Sequence, residues 1–196
     1  MRWYYMNAVL AAKLPHRKTA WVSAGFPTEF LWAFGIFVLH PENMACVAGA
    51  RHSSQQLIEH AESMGYGRDL CSYFKTNVGA IDTGVKTSLG GIPIPDLIVT
   101  TNTICDTHWK WFQIQAHKYN IPYFVFDIPP LVTGLEEQTE NLYIDYIVDQ
   151  FEEFTEFIFR HTRRRLTKMQ FQRVLFNSYQ TGELWNEIYE YRKLIP

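Results

Sequence analysis

Three cysteines carry most of the chemistry this sequence can offer. Cys71 lies in RDLCSYFKTNVGA and Cys105 in TTNTICDTHWKWF, each where a helix is expected to begin, and Cys46 lies in PENMACVAGA. A thiol at a helix start meets free backbone N–H groups that favour the thiolate, the form that binds metals and attacks electrophiles. Asp69 is a candidate N-cap for the helix around Cys71, and Cys105 follows Asn102 at a strand-to-helix turn. On spacing alone, the commoner fate of a free cysteine, a small core hydrophobe, remains the leading reading. A Cys105–His108 nucleophile pair is geometrically possible, but no third group orients it and no oxyanion hole is evident. Zinc is disfavoured by the lack of a C-x-x-C pair or an H-E-x-x-H motif. GAIDTGVKT, residues 79–87, nearly matches a phosphate-binding loop, yet Val85 puts Lys86 and Thr87 out of register and no strand leads into it.

Positioning such thiols requires a scaffold, and the apolar runs describe one. TAWVSA (residues 19–24) and IFVLH (36–40) read as short buried strands, and DLIVTTN (96–102) and PYFVFDIP (122–129) as the two strongest. Helices are expected from Pro27, over residues 41–50, over 53–65 with Leu57, Ile58, Ala61 and Met64 on one face, and from Asp69. A Gly-rich loop over 79–95 and a helix over 103–119 follow. Strand, helix and strand in this order make a parallel crossover unit. The prediction is an α/β fold: a flavodoxin-like open, mostly parallel sheet flanked by helices, over residues 18–130. Residues 1–17 form an N-terminal helical segment. Residues 131–196 form a C-terminal helical segment, with one helix over 142–161 and two shorter ones over 167–179 and 182–194. Such sheets bind ligands beyond the carboxyl ends of their strands, where Thr101, Asn102 and Cys105 fall.

Composition narrows the function classes. Of 196 residues, 47% are hydrophobic and 19% charged, which suits a packed domain, and a net charge of -2 gives no field to attract nucleic acid. The basic run RHTRRRLTK follows an acidic helix containing Glu152, Glu153 and Glu156 and reads as a solvated interhelix loop. No run reaches the ~18 apolar residues of a membrane span. MNAVLAA near the start is too short and too closely followed by Lys13, His16 and Arg17 for a signal peptide. An odd number of unpaired cysteines points to a reduced, cytoplasmic setting.

Five blocks resemble, in order, the 2-hydroxyacyl-CoA dehydratase and benzoyl-CoA reductase subunits: GFPTEFLWAFGI, HPENMACVAGA, AESMGYGRDLCSYFKTNVGA, PIPDLIVTTNTICDTHWKWF and NIPYFVFDIP. The resemblance implies an oxygen-sensitive 4Fe-4S iron–sulfur cluster and an ATP-dependent activator protein that reduces it. It further implies an acyl-CoA substrate, which receives one electron and loses hydroxide in the lyase branch or is reduced at an aromatic ring in the other. Cys71 and Cys105 match the family's metal-ligand cysteines. Ser23 and Glu42, near the ends of the first two expected strands, become candidates for substrate contact or proton transfer, with Glu29 a weaker one. Family members continue into a second α/β domain expected to supply another cluster cysteine. Cys46 is a candidate replacement, although its setting reads as small-residue helix packing. The resemblance also allows a homologous second subunit, a non-catalytic assembly or binding subunit or truncated member, and a double-cubane-type small-molecule reductase.

Overall fold

The computed structural model describes residues 2–84, 92–130, 132–134 and 136–194. Four strands, β1 (Thr19–Val22), β2 (Phe37–Leu39), β3 (Leu97–Thr101) and β4 (Tyr123–Phe126), pair in parallel in the order β2-β1-β3-β4. The register aligns Ala20 with Leu97, Trp21 with Ile98 and Val22 with Val99, and Thr101 with Phe126. The inner strands β1 and β3 are buried throughout. That burial on both faces explains why they read as unbroken apolar runs rather than alternating ones. At the amino ends, the Asp96 carboxylate accepts from the Thr19 N–H at 2.9 Å and from Lys18 Nζ at 2.7 Å, pinning the entry to β1 beside β3.

One sheet face packs Ala20, Val22, Val38 and Val99 against α2 (Glu29–Ala33) and α7 (Glu137–Thr162), through Leu31, Phe154, Phe157 and Ile158. The other packs Trp21, Leu39 and Ile98 against α1 (Arg2–Lys13), α5 (Ser72–Thr83) and α6 (Asp106–Tyr119), through Ala8, Phe74, Val78, Trp111 and Phe112. Two further helices, α3 (Pro41–Ala50) and α4 (Gln55–Ser63), complete that side. The observed architecture is therefore the expected α/β fold with a parallel sheet flanked by helices and a C-terminal helical segment.

Three elements differ from the sequence reading. The Gly-rich loop does not begin at Gly79: α5 runs on to Thr83 and stops at Gly84 in the left-handed region, φ 63°. Gly79 serves packing, since a Cβ there would stand 2.1 Å from the Leu57 carbonyl oxygen of α4. The residues that would complete a phosphate-binding loop, Val85, Lys86 and Thr87, lie outside the described residues. The two short C-terminal helices are one, α8 (Lys168–Tyr191), which opens on a Thr167–Gln170 capping box and continues through Gly182. A solvated helix tolerates a glycine at a cost of about 1 kcal/mol relative to alanine. The helix after Cys71 starts at Ser72, so Cys71 itself, not Asp69, is its N-cap.

The short connection between α7 and α8 is tied back by Arg164. Its Nη1 donates to the carbonyls of Phe34 and Gly35, and its Nη2 donates to His16 O at 2.8 Å. No residue of α8 is buried.

Candidate active site

In the strand order β2-β1-β3-β4 the chain leaves β1 toward one side and later enters β3 on the other. The loops after β1 and β3 therefore diverge over a crevice at the carboxyl edge, the place where open α/β sheets take ligands. Gly25 (φ 84°) lets the loop after β1 fold against Thr103 and Ile104 of the loop after β3. From this edge the first turns of α3, α5 and α6 project side by side.

A cavity of about 360 Å³ opens there, and Cys46, Cys71 and Cys105 all line it, with Glu42, Tyr73 and His108. All three thiols are free and exposed. Cys71 is the N-cap of α5 and Cys105 the N-cap of α6, and neither side chain bonds to its own helix. The sulfurs are thus held by extended backbone at two helix starts while remaining available to a ligand. Cys46, expected to be packed away in a small-residue helix, instead faces the cavity from α3. The Cys46 thiol beside the Tyr73 phenol raises that phenol's pKa, with a smaller electrostatic contribution from Cys71. Among the described residues, no group of three or more His, Cys, Asp or Glu side chains is arranged to hold a single metal ion. The thiols ring the cavity instead of converging on one point.

Glu42, in the first turn of α3, presents Oε1 to two donors. The Ala24 N–H lies at 2.8 Å and His108 Nε2 at 2.7 Å. Both side chains are largely withdrawn from solvent, 17% and 11% exposed, and Glu42 Oε2 and His108 Nδ1 are sealed without a partner. His108 drew attention in the sequence only as a neighbour of Cys105. Its actual partner is 66 residues away, and the signal for it was topological: two helices starting at one sheet edge with an acid in one first turn and an imidazole in the other.

Ser23 and Glu29 are placed differently from Glu42. Ser23 is fully buried, its Oγ accepting the Thr101 N–H at 3.2 Å and its own N–H donating to Val99 O, so it extends the β1–β3 pairing just behind the cavity wall. Glu29 accepts from Ser178 Oγ at 2.7 Å and belongs to the contact between α2 and α8. On the far side of β3, Asn102 and Asp127 bond each other, and Tyr146 of α7 donates to Asp127 Oδ2 at 2.9 Å. This bond to a carboxylate raises the Tyr146 pKa and anchors α7 at the same edge. A second cavity, of about 380 Å³ between Phe34, α7 and the start of α8, contains no thiol. No described helix is long and apolar enough to cross a membrane.

The family model described as 2-hydroxyglutaryl-CoA dehydratase, D-component, matches residues 23–196. The chain is 34% identical over 181 residues to the (R)-2-hydroxyisocaproyl-CoA dehydratase alpha subunit of Clostridioides difficile, covering 92% of this chain and 43% of that protein. It is 31% identical over 187 residues to the (R)-phenyllactyl-CoA dehydratase alpha subunit of Clostridium sporogenes, covering 95% and 45%. It is also 32% identical over 126 residues to one of the benzoyl-CoA reductase subunits of Thauera aromatica, covering 64% and 28%. The chain thus spans less than half the length of each of these curated relatives.

Proposed function

The chain belongs to the 2-hydroxyglutaryl-CoA dehydratase D-component family, and from that membership we propose that it is the cluster-binding part of a radical-type 2-hydroxyacyl-CoA dehydratase or aromatic acyl-CoA reductase. The observation that carries the proposal is the meeting of three accessible thiols with a Glu–His pair around one cavity at the switch point of the sheet. The donor set fits an iron–sulfur cluster. Its ligands are soft thiolates, two of them at helix starts whose N–H groups are available to the sulfurs, and a cluster of several irons is reached from separated positions as a single ion is not.

Cys71 and Cys105 would hold the cluster as thiolates. When bound, a 4Fe-4S cluster would supply low-potential electrons, received from an ATP-dependent activator, to an acyl-CoA thioester. The protein's own part is to seat the thioester over the carboxyl edge and to manage protons there. Glu42 is assigned proton transfer, because it is a carboxylate on the wall of the cavity, held there by two donors on one oxygen. For Ser23 the role supported is to carry the turn that bears Cys105, since its hydroxyl is occupied by Thr101. The three unpaired cysteines suit a reducing cytoplasm. A homologous second subunit completes the assembly.

Anaerobic reconstitution with iron and sulfide tests this reading. The wild-type chain should turn brown, with an EPR signal on reduction, and Cys71→Ala or Cys105→Ala should each lose about half or more of the bound iron, since each removes a thiolate ligand. Ser23→Ala should keep the iron and lower stability to urea by about 1–2 kcal/mol, the cost of leaving the buried Thr101 N–H unpaired. A folded wild-type chain that stays colourless would sink the proposal.

One observation favours a second reading. Along α8, Leu175, Phe176, Leu184, Trp185 and Ile188 are exposed, more apolar surface than an isolated helix usually leaves to water. The chain would then be an assembly subunit docking on a homologous subunit through this helix. Under that reading a colourless chain still co-elutes with the subunit in size exclusion; separate elution removes it.

A further inference from the structure

We propose that His108 is a positioning residue for Glu42: its imidazole fixes one carboxylate oxygen and so holds the acid on the wall of the thiol-lined cavity. The proposal rests on the reading of that cavity as the site of acyl-CoA chemistry.

Three separate segments meet at Glu42 Oε1. The α3 first turn brings the carboxylate, the loop after β1 brings the Ala24 N–H at 2.8 Å, and the α6 first turn brings His108 Nε2 at 2.7 Å. An ionised carboxylate only accepts hydrogen bonds, so the proton in the second bond sits on Nε2. The ring is held in that orientation from the side. Trp111 meets it edge-on at 6.1 Å between centroids and 80°, and Phe112 at 5.7 Å and 73°. A carboxylate in a first helical turn beside an open cavity is free to rotate outward and hydrate both oxygens. Here it does not, and Oε2 stays sealed without a partner. Leaving a buried polar atom unpaired in this way is unfavourable. Something must hold the carboxylate in place against that cost, and the two donors on Oε1 are what the structure provides. Ala24 contributes a backbone group, so His108 is the side chain whose removal releases Glu42.

The tests separate this role from the cluster reading. In the cluster-free chain, nitrogen-15 NMR of His108 should show the Nε2–H tautomer, and Glu42→Ala should abolish that preference. An Nδ1–H tautomer in the wild type overturns the proposal whatever metal the chain binds. In the reconstituted complex turning over a 2-hydroxyacyl-CoA, His108→Phe keeps the ring packing but removes the donor. It should lower kcat by about tenfold to a hundredfold, the range for a misplaced catalytic group, with KM within about twofold. His108→Gln restores an N–H near the same point and should recover most of kcat. If Phe and Gln variants lose activity equally, together with iron and thermal stability, His108 is structural and the proposal fails. Wild-type kcat in His108→Phe with a normal cluster also overturns it, while a colourless wild-type chain removes the reading it rests on.

Discussion

Gly79→Ala is expected to lower the melting temperature by about 6–12 °C, the shift that corresponds to about 3 kcal/mol in a chain of this size. The added methyl would stand 2.1 Å from the Leu57 carbonyl oxygen, 2.8 Å from its carbon and 3.1 Å from its Cα. Those atoms are the backbone of α4, so no rotamer change relieves the clash. The two helices must move apart instead, which opens the small cluster of Tyr5, Met44, Leu57 and Ala80 beneath them. Alanine's better helix propensity, worth about 1 kcal/mol, acts in the opposite direction and is overridden. Gly182→Ala supplies the comparison, because nothing lies within 4 Å of the position where its methyl would stand. That variant should gain up to about 1 kcal/mol in urea unfolding. Equal effects at the two glycines would show that α4 and α5 are not packed as described.

Lys75→Met should cost about 2–3 kcal/mol and loosen the segment leading to Cys71. Lys75 is only 4% exposed, and its Nζ donates to Glu62 Oε1 and to Arg68 O, both at 2.8 Å. It therefore ties α4 to the loop that precedes the Cys71 helix. Methionine keeps the aliphatic volume and removes the charge, so the loss measured is polar. Among the described residues, Glu62 would retain only Arg68 Nε at 3.6 Å, on a side chain that is 92% exposed. Since Glu62 itself is 24% open to solvent, water moderates the loss, which is why the expected figure lies below that of a fully buried pair. Hydrogen exchange over residues 66–71 should speed up in the variant while β3 remains protected. Unchanged exchange in that loop would refute the tie.

The strands were legible because β1 and β3 are buried on both faces and so announce themselves as apolar runs. The starts of α3 and α6 were legible from Pro41 and from the strand-to-helix change at Cys105. Gly79 misled because a glycine that admits a neighbouring helix looks, in sequence, like one that ends its own. At Gly182 the same residue type suggested a break that the capping box and twenty-four residues of α8 do not allow. The helix-start settings of Cys71 and Cys105 were legible from context, while their exposure was not, because a free cysteine in an apolar sequence reads first as a core residue. The Glu42–His108 bond was not, since no local pattern encodes a pairing made only when two helix starts are brought to one edge. Ser23 shows the opposite limit: its place just past the end of β1 is legible, while the bond its hydroxyl accepts from the Thr101 N–H across the sheet is not.

The place of β1 between β2 and β3 also has a consequence for synthesis on the ribosome. Once β1 and β2 have emerged, β1 keeps one edge of unpaired backbone until residues 97–101 arrive to form β3. Such long-range parallel pairing is slow to form, and an open strand edge invites other chains meanwhile. During that interval Cys46 and Cys71 already exist while the wall carrying Cys105 does not. Nascent chains should accordingly be most prone to aggregation before β3 and α6 are complete, because the edge of β1 is open and the cavity lacks the wall that carries Cys105.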